Sequence, residues 1–278
     1  KAIEAKDITG LTVTKACRYL GMSRQAYYQQ GARQQRQALH DSSVLHFVRH
    51  ARLSQPRIGC RKLKYLMAQH ALSIGRDKLF TLLRVHRLLV ATKRAYHRTT
   101  NSHHRFRCHP NLLKSGYKAT KPEQLWVADI TYLPTQRGES YLSLITDAYS
   151  RKIVGFHVAD NMRTASVKQA FTQALKQRRG AEALIHHSDR GSQYCSDEYQ
   201  QLHRQYGVRC SMTDGYDCYQ NALAERVNGI LKNEYLLSQP KDLREARKMV
   251  AESVAIYNRK RPHLALKYKT PDEVHQAF

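Results

Sequence analysis

The spacing of apolar residues changes character near residue 125 of this 278-residue chain. Before that point it follows helical periods. In residues 11–30, LTVTKACRYLGMSRQAYYQQ, the positions Val13, Ala16, Cys17 and Leu20 share one helical face. Gly21 makes a turn, and Ser23 is placed to cap a second helix. A second pair follows. Residues 58–70 put Leu63, Leu66 and Met67 on one stripe, and residues 75–90 do the same with Leu79, Leu82, Leu83, His86 and Leu89. His86 lies on that apolar stripe and reads as a core histidine. Residues 91–122 lose periodicity and read as a linker. From Leu125 the runs LWVADITYLP, YLSLITDAYS and KIVGFHVAD are rich in β-branched and aromatic residues and joined by short polar turns, which predicts an antiparallel meander. A helix (163–178), a strand (183–189), a helix (196–206), a strand (208–212), a helix from about Asn221 and a last helix (242–259) complete the pattern. Three antiparallel strands followed by strand–helix units imply an α/β domain with a mixed five-stranded sheet, preceded by small all-α modules.

The divisions expected from this pattern are a helix–turn–helix module at 1–40, a second helical module at 41–92, a basic linker at 93–122, a catalytic core at 123–239 and a C-terminal helix and tail at 240–278. Charge sharpens the picture. The net charge is +25, and residues 1–122 carry 25 Lys/Arg against four acids, whereas residues 123–278 carry 22 against 18. A segment so basic repels itself unless a polyanion neutralises it, and nucleic acid is the usual partner. Arg24, Gln25 and Tyr28 would begin a recognition helix, Arg61, Lys62 and Lys64 decorate the second module, and Arg105 and Arg107 sit in the linker among rings suited to stacking. No apolar run reaches the roughly 18 residues a membrane span requires, and no signal peptide opens the chain. The six cysteines form no CxxC pair, which fits a reducing cytosol better than a disulfide framework or a zinc module. His103, His104, Cys108 and His109 cluster in a basic loop and read as neutral or phosphate-contacting. The chain opens on Lys1, so a start residue or an upstream fusion is expected before it.

Three acids stand out. Strand alternation points Val127, Asp129 and Thr131 one way and Trp126, Ala128, Ile130 and Tyr132 the other, so Asp129 occupies the middle of a strand built for burial. Asp189 ends a strand, sharing a face with Ile185 and His187. Glu225 lies on a helix, with Asn221, Asn228 and Lys232 at the spacing that shares its stripe. If the two strands are neighbours, the carboxylates can meet around Mg²⁺, a hard cation that takes oxygen ligands and can grip a phosphate. Each acid also has a plain reading: a hydrogen-bonded strand acid, a turn former, a solvated helix charge. Asp147 competes with Asp129 but reads as turn-forming, and so do Asp214 and Asp217.

The order Asp129, Asp189, Glu225, with 35 residues between the last two, resembles the DDE signature of retroviral-type integrases. The words WVADITYLPT, YLSLITDAYSRKIVG, HHSDRGSQY, DGYDCYQNALAERVNGILKNE and YNRKRPHLAL resemble the second-frame (OrfB) transposases of copy-out–paste-in bacterial insertion sequences, and the likeness extends over nearly the whole chain. The resemblance implies an RNase H-like core, two Mg²⁺ ions (or Mn²⁺), and cleavage and joining of DNA at an element's terminal inverted repeats and in target DNA. It carries Asp129, Asp189 and Glu225 over as metal ligands, Lys232 as a DNA-contacting lysine and Asn221 as the motif's Asn; the helix stripe itself reads as a wall that meets DNA through Asn221, Asn228 and Lys232. It implies a homo-oligomer, at least a dimer on DNA, in the bacterial cytoplasm at the nucleoid, with no membrane and no small-molecule substrate. TDGYDCYQN departs from the Arg/Lys-Gly-Asn often found before this motif's Cys-Tyr, which bears on end preference. The alternatives are a structure-specific nuclease of the same fold and a non-catalytic DNA-binding repressor.

Overall fold

The computed structural model describes residues 12–91, 108–180, 182–214 and 221–278. Those residues divide into two compact units, 12–53 with 63–89, and 54–62 with 90–278.

The first unit is helical. Helix α1 (Val13–Tyr19) is capped by Thr12, whose hydroxyl accepts from Lys15 N. Gly21, at φ +66°, makes the turn, and Ser23 Oγ accepts from Ala26 N to cap α2 as expected. Helix α2 then runs Arg24–Ser54, 31 residues, straight through the expected boundary at residue 40. The short recognition helix is thus the start of a long rod, and the two expected modules are one unit. Only the second half of α2 is buried, through Val44, Leu45 and Val48. Leu63 and Met67 of α3 (Cys60–Gln69) and Leu79 and Leu83 of α4 (Arg76–Val85) are also buried, each pair one turn apart. Helix α4 stops at Val85, one residue before His86, which caps it and is exposed rather than a core histidine.

The second unit holds the sheet: β1 (Leu125–Thr135), β2 (Gly138–Asp147), β3 (Ile153–Ala159), β4 (Ile185–Ser188) and β5 (Arg209–Met212). Their order is β3-β2-β1-β4-β5, with the β1–β2–β3 meander antiparallel and β1–β4 and β4–β5 parallel. One face packs Trp126, Ala128, Ile145 and Val154 against α5 (Thr164–Gln177) and Tyr199 of α7 (Asp197–Gln205), with the short α6 (Ser192–Cys195) beside them. Here α5 lies directly on β3: a Cβ at Gly155 would stand 2.9 Å from Ala174 Cβ and clash with the Ala170 carbonyl. The other face packs Leu133, Leu142, Leu144 and Val158 against α8 (Ala222–Ile230) and α9 (Leu243–Lys260).

The tail expected to stand apart from residue 240 belongs to this core. Ala246, Val250, Val254 and Tyr257 of α9 are buried in it. Asn258 imitates a strand neighbour for β3, accepting from Ile153 N and donating to Ile153 O, both at 2.9 Å. The short α10 (Pro271–His275) carries a capping box between Thr270 and Glu273. The second half of the expected linker is also anchored. Leu112, Leu113 and Ala119 pack on Leu125, Val127, Ile185 and Ala224, and Pro110 O accepts from Met212 N. Among the described residues no helix is long and apolar enough to cross a membrane.

Burial leaves several histidines neutral. It pushes His203 down to about 4; with the adjacent Arg261 charge, it pushes His263 down to about 2. Their folded values lie below the ordinary 6.5, so their stability contribution is complete above pH 6.5 and lost as pH falls. Asp129 shifts the opposite way, so the comparison is made in Asp129→Asn. Urea unfolding of that variant is expected to show a loss of about 2 kcal/mol per histidine between pH 7 and pH 5, and a flat profile would contradict the neutral assignment.

Candidate active site

Strand β1 is central, and the parallel pairing of β4 beside it makes the geometry. The register matches Trp126 with His186 and Val127 with His187. Asp129 and Asp189 each lie two residues further along, so Asp129, inside β1, stands level with Asp189, one residue past the end of the parallel β4. Their shared face is the one covered by α8, because Val127 and Ile185 pack with Ala224.

Asp129 is half-buried. Its Oδ2 accepts from Asn228 Nδ2 at 2.7 Å and its Oδ1 from its neighbour Ile130 N at 2.9 Å. Burial pushes its carboxyl up to about 7, with the Asp189 charge adding to the shift and Glu225 contributing less; the Asn228 bond opposes it. Asp189 Oδ1 accepts from Gly191 N at 3.0 Å, which turns the chain into α6. Glu225 sits in the first turn of α8, exposed, and is raised by partial burial and then by the Asp189 charge. The three acids therefore feel one another. They are not drawn into a closed shell: among the described residues no three Asp, Glu, His or Cys side chains are gathered closely enough to hold an ion as they stand. The donor set is nonetheless all carboxylate oxygen, and its mutual repulsion is of the kind a hard divalent cation relieves.

The polar stripe beside Glu225 differs from its expected role. Asn221 and Asn228 are each only 4% exposed and face the sheet, not solvent. Asn221 Nδ2 donates to Ala128 O at 2.9 Å, Asn228 holds Asp129, and Lys232 Nζ donates to Thr131 Oγ1 at 3.2 Å. Buried amides pinned to β1 are not available to DNA. Lys232 is half-buried on a π-helical turn, Leu231–Tyr235, that continues α8. Burial lowers its ammonium while the Asp129 charge raises it.

Asp147, the rival of Asp129, is fully buried with its acceptors filled. Its Oδ1 takes Tyr149 N, Ser150 N and Ser150 Oγ, and its Oδ2 takes Glu123 N at 2.7 Å. It builds the turn, as expected. Asp214 ion-pairs with Lys114 at 3.3 Å, while Asp217 and most of the 213–219 loop lie outside the described residues.

Arg24, Gln25, Tyr28, Arg61 and Lys64 are exposed. Lys62 is not free: it is half-buried and pairs with Glu234 at 3.4 Å, where burial and the Arg261 charge push it down to about 8. Arg105, Arg107, His103 and His104 lie outside the described residues. Inspection of the sequence missed the cluster that receives Lys62. Arg261 forks onto Glu234 at 2.7 and 2.8 Å and stands 3.1 Å from His263 Nε2. The only sequence signal for it is the Arg-Pro-His of the YNRKRPHLAL stretch.

Comparison with known proteins agrees with this geometry. Two integrase core domain family patterns match, over residues 119–218 and 206–271. The insertion element IS600 uncharacterized 31 kDa protein of Shigella sonnei is 38% identical over 255 residues, covering 90% of this chain and 93% of that protein. The transposase for insertion sequence element IS904 of Lactococcus lactis is 38% identical over 166 residues, covering 59% and 66%. The simian T-cell lymphotropic virus intasome shares the fold at TM-score 0.50 and 17% identity, covering 76% of this chain and 70% of that one. An α/β fold with an integrase-like core defines the class, and the chain belongs to the DDE transposases of insertion sequences, within the retroviral-integrase superfamily. It is a DNA transposase.

The contrast between the two strand acids is testable by stability. Asp147→Asn forces an amide donor against filled N–H donors and is expected to cost about 3 kcal/mol. Asp129→Asn removes a repelled carboxylate and is expected to raise the melting temperature at pH 8 without added metal. Equal destabilisation in thermal unfolding would contradict the assignment of Asp129 to a site rather than to the framework.

Proposed function

We propose that Asp129, Asp189 and Glu225 form one catalytic site that cleaves a DNA strand at the terminal inverted repeats of an insertion sequence and joins the new 3′-hydroxyl to another phosphodiester. The observation that supports this reading is Asp129 in β1 level with Asp189 just past the parallel β4, with the charge of Glu225 felt at Asp129 and that of Asp189 at Glu225. The same three residues would hold two Mg²⁺ or Mn²⁺ ions, which when bound supply Lewis-acid activation of the attacking oxygen and charge neutralisation at the leaving one.

The chain's own residues set the geometry. Asn228 fixes the rotamer of Asp129 through Oδ2, and the Ile130 N–H holds Oδ1. The Gly191 N–H orients Asp189. Lys232, held at Thr131 two residues along β1 from Asp129, puts a cation where a phosphate arriving at the acids meets it. In the first exchange water opens a phosphodiester and frees a 3′-hydroxyl. In the second that hydroxyl attacks another phosphodiester and displaces a 3′-oxygen, so one bond forms for each broken. Two element ends must be handled together, which calls for at least a dimer on DNA. The words shared with second-frame transposases support that subclass.

Asp189→Asn is expected to abolish both cleavage and joining of labelled element-end DNA in Mg²⁺, by about 10³-fold or more, while binding in a gel shift stays within about twofold. Joining by the variant at near wild-type rate would overturn the site. Cleavage without joining by the wild-type protein would favour a nuclease, and a shift without cleavage a repressor.

A further inference from the structure

Among the described residues the first half of α2 is met by little: Lys78 at Gln37 and the Ser73 carbonyl at His40. Between Arg24 and His40 no residue is buried, and only Tyr27, Gln37 and His40 are even half-covered. It carries three arginines and six glutamines and no acid, and Gly31 interrupts it with no neighbouring side chain in reach. A helix polar all round gains little from burial, and glycine weakens it further. Such a segment gains stability from a partner along its length.

Its side chains are ordered. Gln25, Gln29, Arg33 and Arg36 follow one another at four, four and three residues, which at 3.6 residues per turn keeps them within an arc of about 80° and a length of about 16 Å. All four are exposed. The first acid along the helix, Asp41, lies about 120° from the midline of this stripe, where it accepts from Gln37 at 2.5 Å. Lys78 donates to Gln37 Oε1 on the flank of the helix beside Arg33.

Resting on the reading that this chain acts on DNA, we infer that the stripe Gln25–Gln29–Arg33–Arg36 lies in a DNA major groove and reads bases along its length. The chemistry fits the groove. Glutamine can take the paired donor and acceptor of adenine, and arginine the two acceptors of guanine or a flanking phosphate. A helix about 10–12 Å across fills a groove about 12 Å wide. Steps of four residues, about 6 Å, meet roughly every second base pair at 3.4 Å. This replaces a three-residue contact at the start of the helix by a contact two to three turns longer.

The test is fluorescence anisotropy of the full chain in EDTA, where no chemistry intervenes, on a duplex carrying the inverted repeat that flanks the reading frame and on a shuffled duplex of equal composition. The double variant Gln25→Ala, Gln29→Ala is expected to lose at least tenfold in discrimination between the two. Arg33→Ala with Arg36→Ala is expected to weaken binding and flatten the log–log salt slope by about two. Alanine favours helix, so circular dichroism should be unchanged in both. Wild-type discrimination and slope in the two variants would overturn the inference. Loss of self-association in sedimentation, with DNA binding intact, would overturn it too, by making a second copy the occupant. Neither outcome bears on Asp189→Asn, whose failure would appear in strand joining alone.

Discussion

The seam between α8 and β1 is the constraint on which the site depends. Three side chains from one helix and its π-helical continuation donate to consecutive points of one strand: Asn221 to the Ala128 carbonyl, Asn228 to the Asp129 carboxylate and Lys232 to the Thr131 hydroxyl. Apolar contacts alone, such as Val227 and Leu231 against Leu142 and Leu144, would bury the helix but would let it slide along the sheet. Directional bonds to fixed strand positions set its register, and with it the place of Glu225 beside two strand acids. Lys232 stands four residues after Asn228 and so on the same face, at the start of the π turn that continues α8.

Two buried or half-buried acids on the same sheet show opposite solutions to the cost of burying charge. Asp147 is surrounded by donors and completes a turn. Asp129 has one side-chain donor and two acidic neighbours, and its carboxyl rises to about 7. A framework acid is satisfied within the protein, whereas Asp129 is satisfied only in part. The basic excess of residues 1–122 belongs to the same logic on a larger scale, because an excess left uncompensated within the chain favours a polyanionic partner.

The strands were legible because alternation of large apolar residues has one cause, a sheet covered on both faces, and all five fall close to their expected positions. The acids were legible as candidates, but their level placement was not, since the β1–β4 pairing joins residues some 60 positions apart and only topology supplies it. The polar stripe of α8 misled for a physical reason. Amides usually face water, and nothing in the helix itself tells that a strand carbonyl and a carboxylate await them. The full length of the 31-residue α2 is not legible, because its first half has no apolar period to follow. The spacing of His86 continues the leucines and so suggests a core position, yet the helix ends one residue before it. Leu112 and Leu113 lay in a stretch without periodicity, and only the sheet beneath them shows that they are anchors.

The central claim is that Asp129, Asp189 and Glu225 act as one cation-binding set. Thermal unfolding with and without millimolar Mn²⁺ tests it most directly, because a cation that binds only the folded state raises the melting temperature. The wild-type protein should be stabilised by the metal, and Asp129→Asn, Asp189→Asn and Glu225→Gln should each lose most of that gain. A metal-induced shift of wild-type size in all three variants would contradict the account.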